Sequence, residues 1–395
     1  MNKVLEKYVN KRILIWGYGR EGKSTEKFFK DKGIAACVDI FEGSRENINE
    51  DNYDYIFKSP GIPAFDLSDK YTSQTELFLE AFRDNVIGIT GTKGKSTTSA
   101  MLYTVLDKCC KEPTFFMGNI GEPCLNYFDE ITPDAIVVFE MSCHQLCQIK
   151  ISPRVGVMLN LFEEHLDYYG TMDKYFAAKQ NVTLFQKPGD SFYVGAQVPK
   201  IPTLADRYVI AEAEPLKIKI FGEHNRYNAT FVKNIAVNEF GCDLETVKKT
   251  IAKFGGLPHR LEFVDEIDEV RFYDDSISTI PEATIKAVES IDNVRTVLIG
   301  GMDRNIDYTV LVDYIRTRAD VTFICMYSSG ERIYNEVSDL ENVIYVPELK
   351  EAVELAKKKT PKKSACVLSP AAASYGYFEN FEDRGNKFKE YVEVY

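Results

Sequence analysis

The segment GITGTKGKST at residues 88–97 constrains this chain more than any other feature. An apolar run at 86–90 leads directly into Gly91-Thr92-Lys93-Gly94-Lys95-Ser96-Thr97, and the stretch 96–108 after it reads as a helix. A glycine turn between a buried strand and a helix aims backbone N–H groups and the positive end of the helix dipole at one point, which suits a phosphate. Lys95 is placed to reach the β- and γ-phosphates of a nucleotide, and Ser96 to ligate Mg²⁺. The spacing is G-x-x-G-K-S; Ile89 or Thr90 stands where the longer form of the motif has its first glycine. A plain glycine turn without a ligand is the weaker alternative.

A similar opening precedes it. The apolar run 12–16 is followed by GYGREG at 17–22, a helical pattern at 24–32 and a second apolar run at 34–39. This is the start of a Rossmann-like unit, with Asp39 about twenty positions after the first glycine and placed to meet a ribose. The loop suits a uridine nucleotide as well as NAD, and tight strand-to-helix packing is the reading without a ligand. Another strand at 53–58 ends in the turn Ser59-Pro60-Gly61. Strands are expected again at 135–139 and 155–160, and a third unit begins near 255–260 with strands at 294–299, 322–326 and 365–368. Alternating strands and helices predict an α/β protein with parallel sheets and ligands at the carboxyl ends of the strands. Residues 199–215 carry no clear pattern.

The bulk properties narrow the function. A chain of 395 residues exceeds one ordinary core. A formal charge of −12 argues against non-specific binding to nucleic acid or acidic membranes. Nine cysteines in no regular framework read as reduced thiols of a cytoplasmic protein. The N-terminus does not read as a signal peptide, since its apolar run is short and leads straight into a glycine turn, and no stretch approaches the roughly 20 apolar residues of a membrane span.

Several side chains carry potential chemistry. Glu140 ends an apolar run and is followed by Met-Ser142-Cys-His-Gln145; a carboxylate at a strand end beside a phosphate loop is the usual partner of a nucleotide-bound Mg²⁺. The segment NLFEEHLD at 160–167 is placed to supply further metal or phosphate ligands. A zinc cluster of Cys143, His144 and Cys147 is the poorer reading, since no second pair stands at suitable spacing. His144, His165, His224 and His259 all fall at element ends or turns, which favours a site. On residue chemistry alone Lys179, in YFAAK, reads as a solvated helix lysine.

These segments, together with GNIG at 118–121, GEHNRYNA at 222–229, GLPHRLE at 256–262, DDS at 274–276 and LSPAAASYGYFENFEDRG at 368–385, resemble the Mur ligases of peptidoglycan synthesis, in family order along nearly the whole chain. The resemblance implies three domains: a Rossmann-like UDP-substrate domain at 1–84, a central P-loop ATPase domain at 85–256 and a Rossmann-like amino-acid domain at 257–395. It implies ATP-dependent amide formation through an acyl-phosphate, on UDP-MurNAc-L-Ala and glutamate, by a monomeric cytoplasmic enzyme. Lys95, His165 and Lys179 take the catalytic roles, with Lys179 carbamylated by CO₂ and two Mg²⁺ ions held by Ser96, Glu140, His165 and Lys179. ATP falls to Gly91 through Thr97, Asn225, Asn228, Arg260 and Asp275. The UDP substrate falls to Gly17, Tyr18, Gly19, Arg20, Asp39, Ser59, Pro60, Gly61, Asn119, Ser142, Gln145 and His165. Glutamate falls to Thr279, Arg304, Ser374 and Phe381.

The chain departs from the family pattern around the incoming amino acid. Ile277 and Arg304 each stand where a lysine is common, and the segments DSIST and GGMDR resemble a subgroup that adds L-glutamate. D-glutamate is the expectation, with L-glutamate, or another amino acid in a related amide ligase, as the alternative. The central region between Phe185 and Phe221 is short, as is the loop after Gly61. A folate-type ligase does not explain GYGREG. An NAD-dependent oxidoreductase leaves the second phosphate loop and Glu140 without a role, and a non-catalytic regulator leaves Lys95, Glu140, His165 and Lys179 unexplained.

Overall fold

The computed structural model describes residues 3–119, 122–220 and 222–393, apart from the side chain of Asp167. Ile120 and Gly121 of the GNIG segment lie outside the described residues. The chain divides into two compact units, residues 1–218 with 222–254, and residues 219–221 with 255–395.

The first unit holds two parallel sheets. One consists of β1 (Arg12–Trp16), β2 (Cys37–Phe41), β3 (Tyr55–Lys58) and β4 (Tyr71–Thr72) in the order β2-β1-β3-β4. The other consists of β5 (Val86–Thr90), β6 (Thr114–Gly118), β7 (Ile136–Glu140), β8 (Val155–Met158), β9 (Ser191–Gly195) and β10 (Asp206–Ile210) in the order β10-β9-β8-β5-β7-β6. Every residue of β5 is buried, as expected of a strand covered on both faces. Its neighbours are β7 and β8, so strand order reverses at β5 and opens a crevice at its carboxyl end, where the phosphate loop leaves. The first sheet repeats the arrangement at β1, between β2 and β3.

The second unit has one sheet: β11 (Glu262–Ile267), β12 (Val270–Asp274), β13 (Val294–Ile299), β14 (Thr322–Cys325), β15 (Val343–Tyr345) and β16 (Ala365–Leu368), ordered β11-β12-β16-β13-β14-β15. Only the β11–β12 hairpin is antiparallel. Because β16 inserts between β12 and β13, the loops leaving these three strands emerge side by side at one sheet edge.

Some boundaries differ from the sequence expectation. The first helix starts at Arg20 rather than 24, so it follows the glycine loop at once. It stops at Gly33, whose left-handed φ of 60° caps it, and β2 begins only at Cys37 rather than 34. The unpatterned region 199–215 contains β10, an edge strand exposed along most of its length; without a buried face it has no alternation to read. Among the described residues, no helix is long and apolar enough to cross a membrane. All nine cysteines are free thiols.

Candidate active site

The phosphate loop is built from Gly91 to Gly94, and the helix Lys95–Cys109 opens directly behind it. Gly94 has φ +84°, and a Cβ there would stand 2.7 Å from Oδ1 of Asn228, so only glycine fits both the backbone and the neighbour. Asn160, at the end of β8, clamps the loop from the other side: its Oδ1 accepts from Lys93 N at 2.8 Å and its Nδ2 donates to Lys93 O at 2.9 Å. Thr92 is buried and shares a hydrogen bond with the Tyr175 hydroxyl at 3.1 Å.

Three charged groups converge on this loop. Lys95 Nζ donates to the carbonyls of Gly91 at 3.0 Å and Thr92 at 2.9 Å. Burial holds its pKa below the usual lysine value, against the pull of Glu140. Lys179 is 1% exposed, not solvated as its sequence context suggests; its Nζ donates to Gly91 O at 2.8 Å. Burial first, and then the charge of Lys95, lower its pKa to about 7. Glu140 ends β7 with no exposure. Its Oε1 accepts from Asn119 Nδ2 at 2.8 Å, while the buried Oε2 has no hydrogen-bond partner among the described residues. An orphaned carboxylate oxygen beside a phosphate loop is a donor suited to a hard cation. Gly118 permits the close approach of β6 to the backbone at the end of β7: a Cβ there would meet the Glu140 carbonyl oxygen at 2.3 Å.

His165 occupies a left-handed turn, φ +57°, that starts the short helix Leu166–Tyr169. Its ring lies 6.1 Å from that of Tyr175, and Lys179 Nζ lies 4.8 Å from the same ring, so one aromatic side chain carries both expected ligands. Beside the loop is a cleft of about 800 Å³ lined by Lys93, Gly94, Asn160, His224, Tyr227 and Asn228, a volume suited to a nucleotide. Asn225 and Asn228 stand in the first turns of the helix Glu223–Phe240. The thiols proposed for zinc are engaged otherwise: Cys147 Sγ donates to His144 O at 3.2 Å, and Cys143 Sγ lies 3.9 Å from His144 Nδ1.

At the first sheet, Gly17 and Ser59 meet, the Ser59 hydroxyl donating to Gly17 O at 2.7 Å. Gly19 and Arg20 are exposed at the start of the first helix, Tyr18 bonds to Glu26, and Gly61 is exposed. Asp39 lies in the middle of edge strand β2 and accepts from the Tyr53 hydroxyl at 3.0 Å. Ser142 and Gln145 form a capping box, and Gln145 Nε2 donates to the half-buried Glu21 at 2.7 Å, so their polar atoms serve as a joint between the two sheets.

In the second unit, Arg260 and Asp275 line a cleft of about 400 Å³ with Ile277, Thr279 and Lys286. Asp275 accepts from Ser369 Oγ at 2.8 Å and Leu261 N at 3.2 Å, and burial raises its pKa to about 6. Arg304 Nη2 donates to Thr279 O at 3.3 Å, which joins two of the expected glutamate contacts. Ser374 is buried and Phe381 half-buried. Among the described residues, the three potential metal ligands that cluster are His259, Glu262 and Asp274. Lys389 already lies 2.6 Å from Glu262, and His259 Nδ1 is 2.7 Å from Asp274, so this is an ion-pair network.

Residues 89–254 match the Mur ligase middle domain, and residues 259–372 match the Mur ligase, glutamate ligase domain. The UDP-N-acetylmuramoylalanine--D-glutamate ligase of Aquifex aeolicus is 31% identical over 97% of this chain and 99% of its own length. The chain belongs to the Mur ligase family. The UDP-N-acetylmuramoyl-L-alanine--L-glutamate ligase of Salinispora tropica is 30% identical over 97% of both chains. Among solved structures, Thermotoga maritima MurC superposes with a TM-score of 0.56 at 18% identity, covering 96% of this chain and 98% of the other. MurF of the same organism in complex with ADP gives 0.54 at 17%, covering 100% and 99%. At those identities the structures speak for the fold alone.

This Mur ligase is therefore an ATP-dependent amide ligase with three parallel-sheet domains. Sequence reasoning overlooked two polar side chains that tie the turn after β3, one half-buried and one buried. Tyr168 donates from its hydroxyl to Ile62 O at 2.7 Å and Pro60 O at 3.1 Å, tying the turn after β3 to the segment that carries His165. Lys58, buried, donates to the same turn at Ile62 O, 2.6 Å. Neither has a motif; only their position, beside a glycine–proline turn and after His165, hinted at a role.

Proposed function

We propose that this Mur ligase joins D-glutamate to UDP-N-acetylmuramoyl-L-alanine. The observation that carries the reading is the convergence of Lys95, Lys179 and the unpartnered Glu140 Oε2 on one strand-end phosphate loop. The near-full-length similarity to the Aquifex aeolicus D-glutamate ligase supports the substrate. The sheet of β1 to β4 takes the UDP half, the β5 loop takes ATP, and the loops after β12, β13 and β16 take the amino acid, in domains 1–84, 85–256 and 257–395.

A carboxylate is a poor acylating agent because its oxygen is a poor leaving group. The alanyl carboxylate oxygen attacks the γ-phosphorus, ADP departs, and the product is an acyl-phosphate. The glutamate amine then attacks the carbonyl carbon, loses a proton, and inorganic phosphate leaves. Lys95 stabilises the charge that builds on the γ-phosphoryl group. The donor set fits Mg²⁺: Ser96, Glu140 and His165 would hold it, joined by Lys179 as a carbamate, and the cation would supply charge neutralisation between phosphate and carboxylate. A pKa near 7 makes Lys179 a substantial fraction neutral amine at physiological pH, the form that adds CO₂ and releases a proton.

L-glutamate is the second reading, favoured by the Salinispora tropica relative. The deciding measurement is phosphate release with UDP-MurNAc-L-Ala and each glutamate enantiomer in separate reactions. Release with D-glutamate alone is expected; release with neither overturns the assignment.

A further inference from the structure

Arg384 is fully buried, and its guanidinium makes no close ion pair among the described residues. Its hydrogens go to neutral oxygens: Nε donates to Ser276 Oγ at 2.9 Å, Nη2 to Ser276 O at 2.7 Å, and Nη1 to Ala372 O at 3.0 Å. Ser276 Oγ in turn donates to Phe381 O at 2.8 Å, closing a ring through the start of the helix Phe381–Glu393. Gly301 presses on the same group, since a Cβ there would lie 3.0 Å from Arg384 Nη1. Met302 N donates to Ala373 O at 2.9 Å, which fastens the β13 loop to the β16 loop. The buried carboxylate of Asp274 favours the charge from a distance, and itself accepts from Ser276 N at 2.9 Å.

A buried charge is costly unless hydrogen bonds compensate it, and here the compensating partners of Arg384 sit on loops rather than on a core element. Those loops carry Thr279, Arg304, Ser374 and Phe381, each within five residues of a group that Arg384 bonds or touches. We propose that Arg384 is the positioning residue of the amino-acid pocket: it fixes the loops after β12, β13 and β16 in one arrangement and acts on the incoming amino acid only through them. This deepens the glutamate reading and rests on it. A lysine in its place has one nitrogen and cannot span Ser276 and Ala372 with fixed planar geometry.

The test is Arg384→Lys in the full-length protein, with Ser276→Ala as a milder variant should the first fail to fold. Amide exchange is followed without substrate in segments 275–279, 301–304 and 371–374, with 222–240 as the internal control. The expected result is faster exchange in those three segments alone. The KM for glutamate should rise about tenfold while that for ATP stays within about twofold, as for lost pre-organisation of one subsite. Unchanged exchange in a folded variant, or equal rises in both KM values, overturns the proposal. If the wild type ligates neither glutamate enantiomer, the glutamate reading fails, and the exchange measurement alone decides the positioning role.

Discussion

Lys179 donates to the carbonyl of Gly91 at 2.8 Å from a site that is 1% exposed, so the phosphate loop and the lysine expected to carry CO₂ are in direct contact. Replacement by methionine keeps the bulk and removes the nitrogen. Lys179→Met should be nearly inactive and partly restored by acetate or formate, which supply an anionic oxygen. Full turnover of the variant in CO₂-depleted buffer would remove the carbamate from the mechanism.

The same contact makes a stability prediction. The pKa of Lys179 falls from an ordinary 10.5 to about 7 in the folded protein. Between these values the unfolded chain holds a proton that the native state lacks, so native stability rises with pH across that window. Below about 7 both states are protonated and the whole penalty of the buried charge is present. In CO₂-free buffer, the unfolding free energy of wild type minus that of Lys179→Met should therefore increase from pH 7 to pH 10. A difference that is flat with pH would mean that the amine is not held neutral.

Lys95→Ala should abolish ligation and leave the fold intact. Among the described residues its Nζ bonds the loop carbonyls of Gly91 and Thr92, so the fold should lose little, whereas on the proposed reading the γ-phosphoryl group loses its cation. The check is phosphate release alongside a thermal melt; near-normal turnover would sink the assignment.

Gly94→Ala and Gly33→Ala separate backbone strain from steric conflict. Both positions have positive φ, +84° and +60°, but a Cβ at Gly33 meets nothing within 4 Å. Gly33→Ala should cost about 1 kcal/mol in urea unfolding, the ordinary penalty of alanine in that region. Gly94→Ala should cost more and raise the KM for ATP, because Asn228 must move from the loop. Equal stability losses with an unchanged ATP KM would show that Asn228 has no part in the nucleotide cleft.

The phosphate loop was legible because its chemistry is local: strand, glycines, lysine and helix follow one another in the chain. The same holds for Glu140 at the end of β7. Lys179 was legible only through the family resemblance, since YFAAK by itself has the pattern of a surface helix, and its burial comes from packing against β5 and Tyr175. Edge strand β10 was hidden for the opposite reason, having too little burial to leave a pattern. Arg384 and Tyr168 escaped notice because their partners are backbone carbonyls at distant positions, and a carbonyl has no sequence signature.

Arg304 decides the handedness prediction. It lies in the loop after β13, exposed, with Nη2 on the carbonyl of Thr279 at 3.3 Å. Its neighbour Asp303 is bound by Arg332 at 3.0 and 3.2 Å, which fixes the turn. A planar guanidinium grips a carboxylate through two parallel hydrogen bonds, which an ammonium cannot do. With the α-carboxylate of glutamate set by that fork and the γ-carboxylate at the Ser374–Phe381 segment, one enantiomer alone keeps its amine on the acyl-phosphate. The other leaves a carboxylate or the guanidinium unpaired, a penalty large enough for strong discrimination. Arg304→Ala should raise the KM for glutamate far more than that for ATP, and should narrow the gap between enantiomers. Unlike Arg384→Lys, it should leave amide exchange in segment 371–374 unchanged, because Arg304 bonds Thr279 O and, on the proposed reading, the substrate rather than that loop. A rise in the ATP KM instead, or equal rates for both enantiomers in the wild type, would refute this arrangement of the pocket.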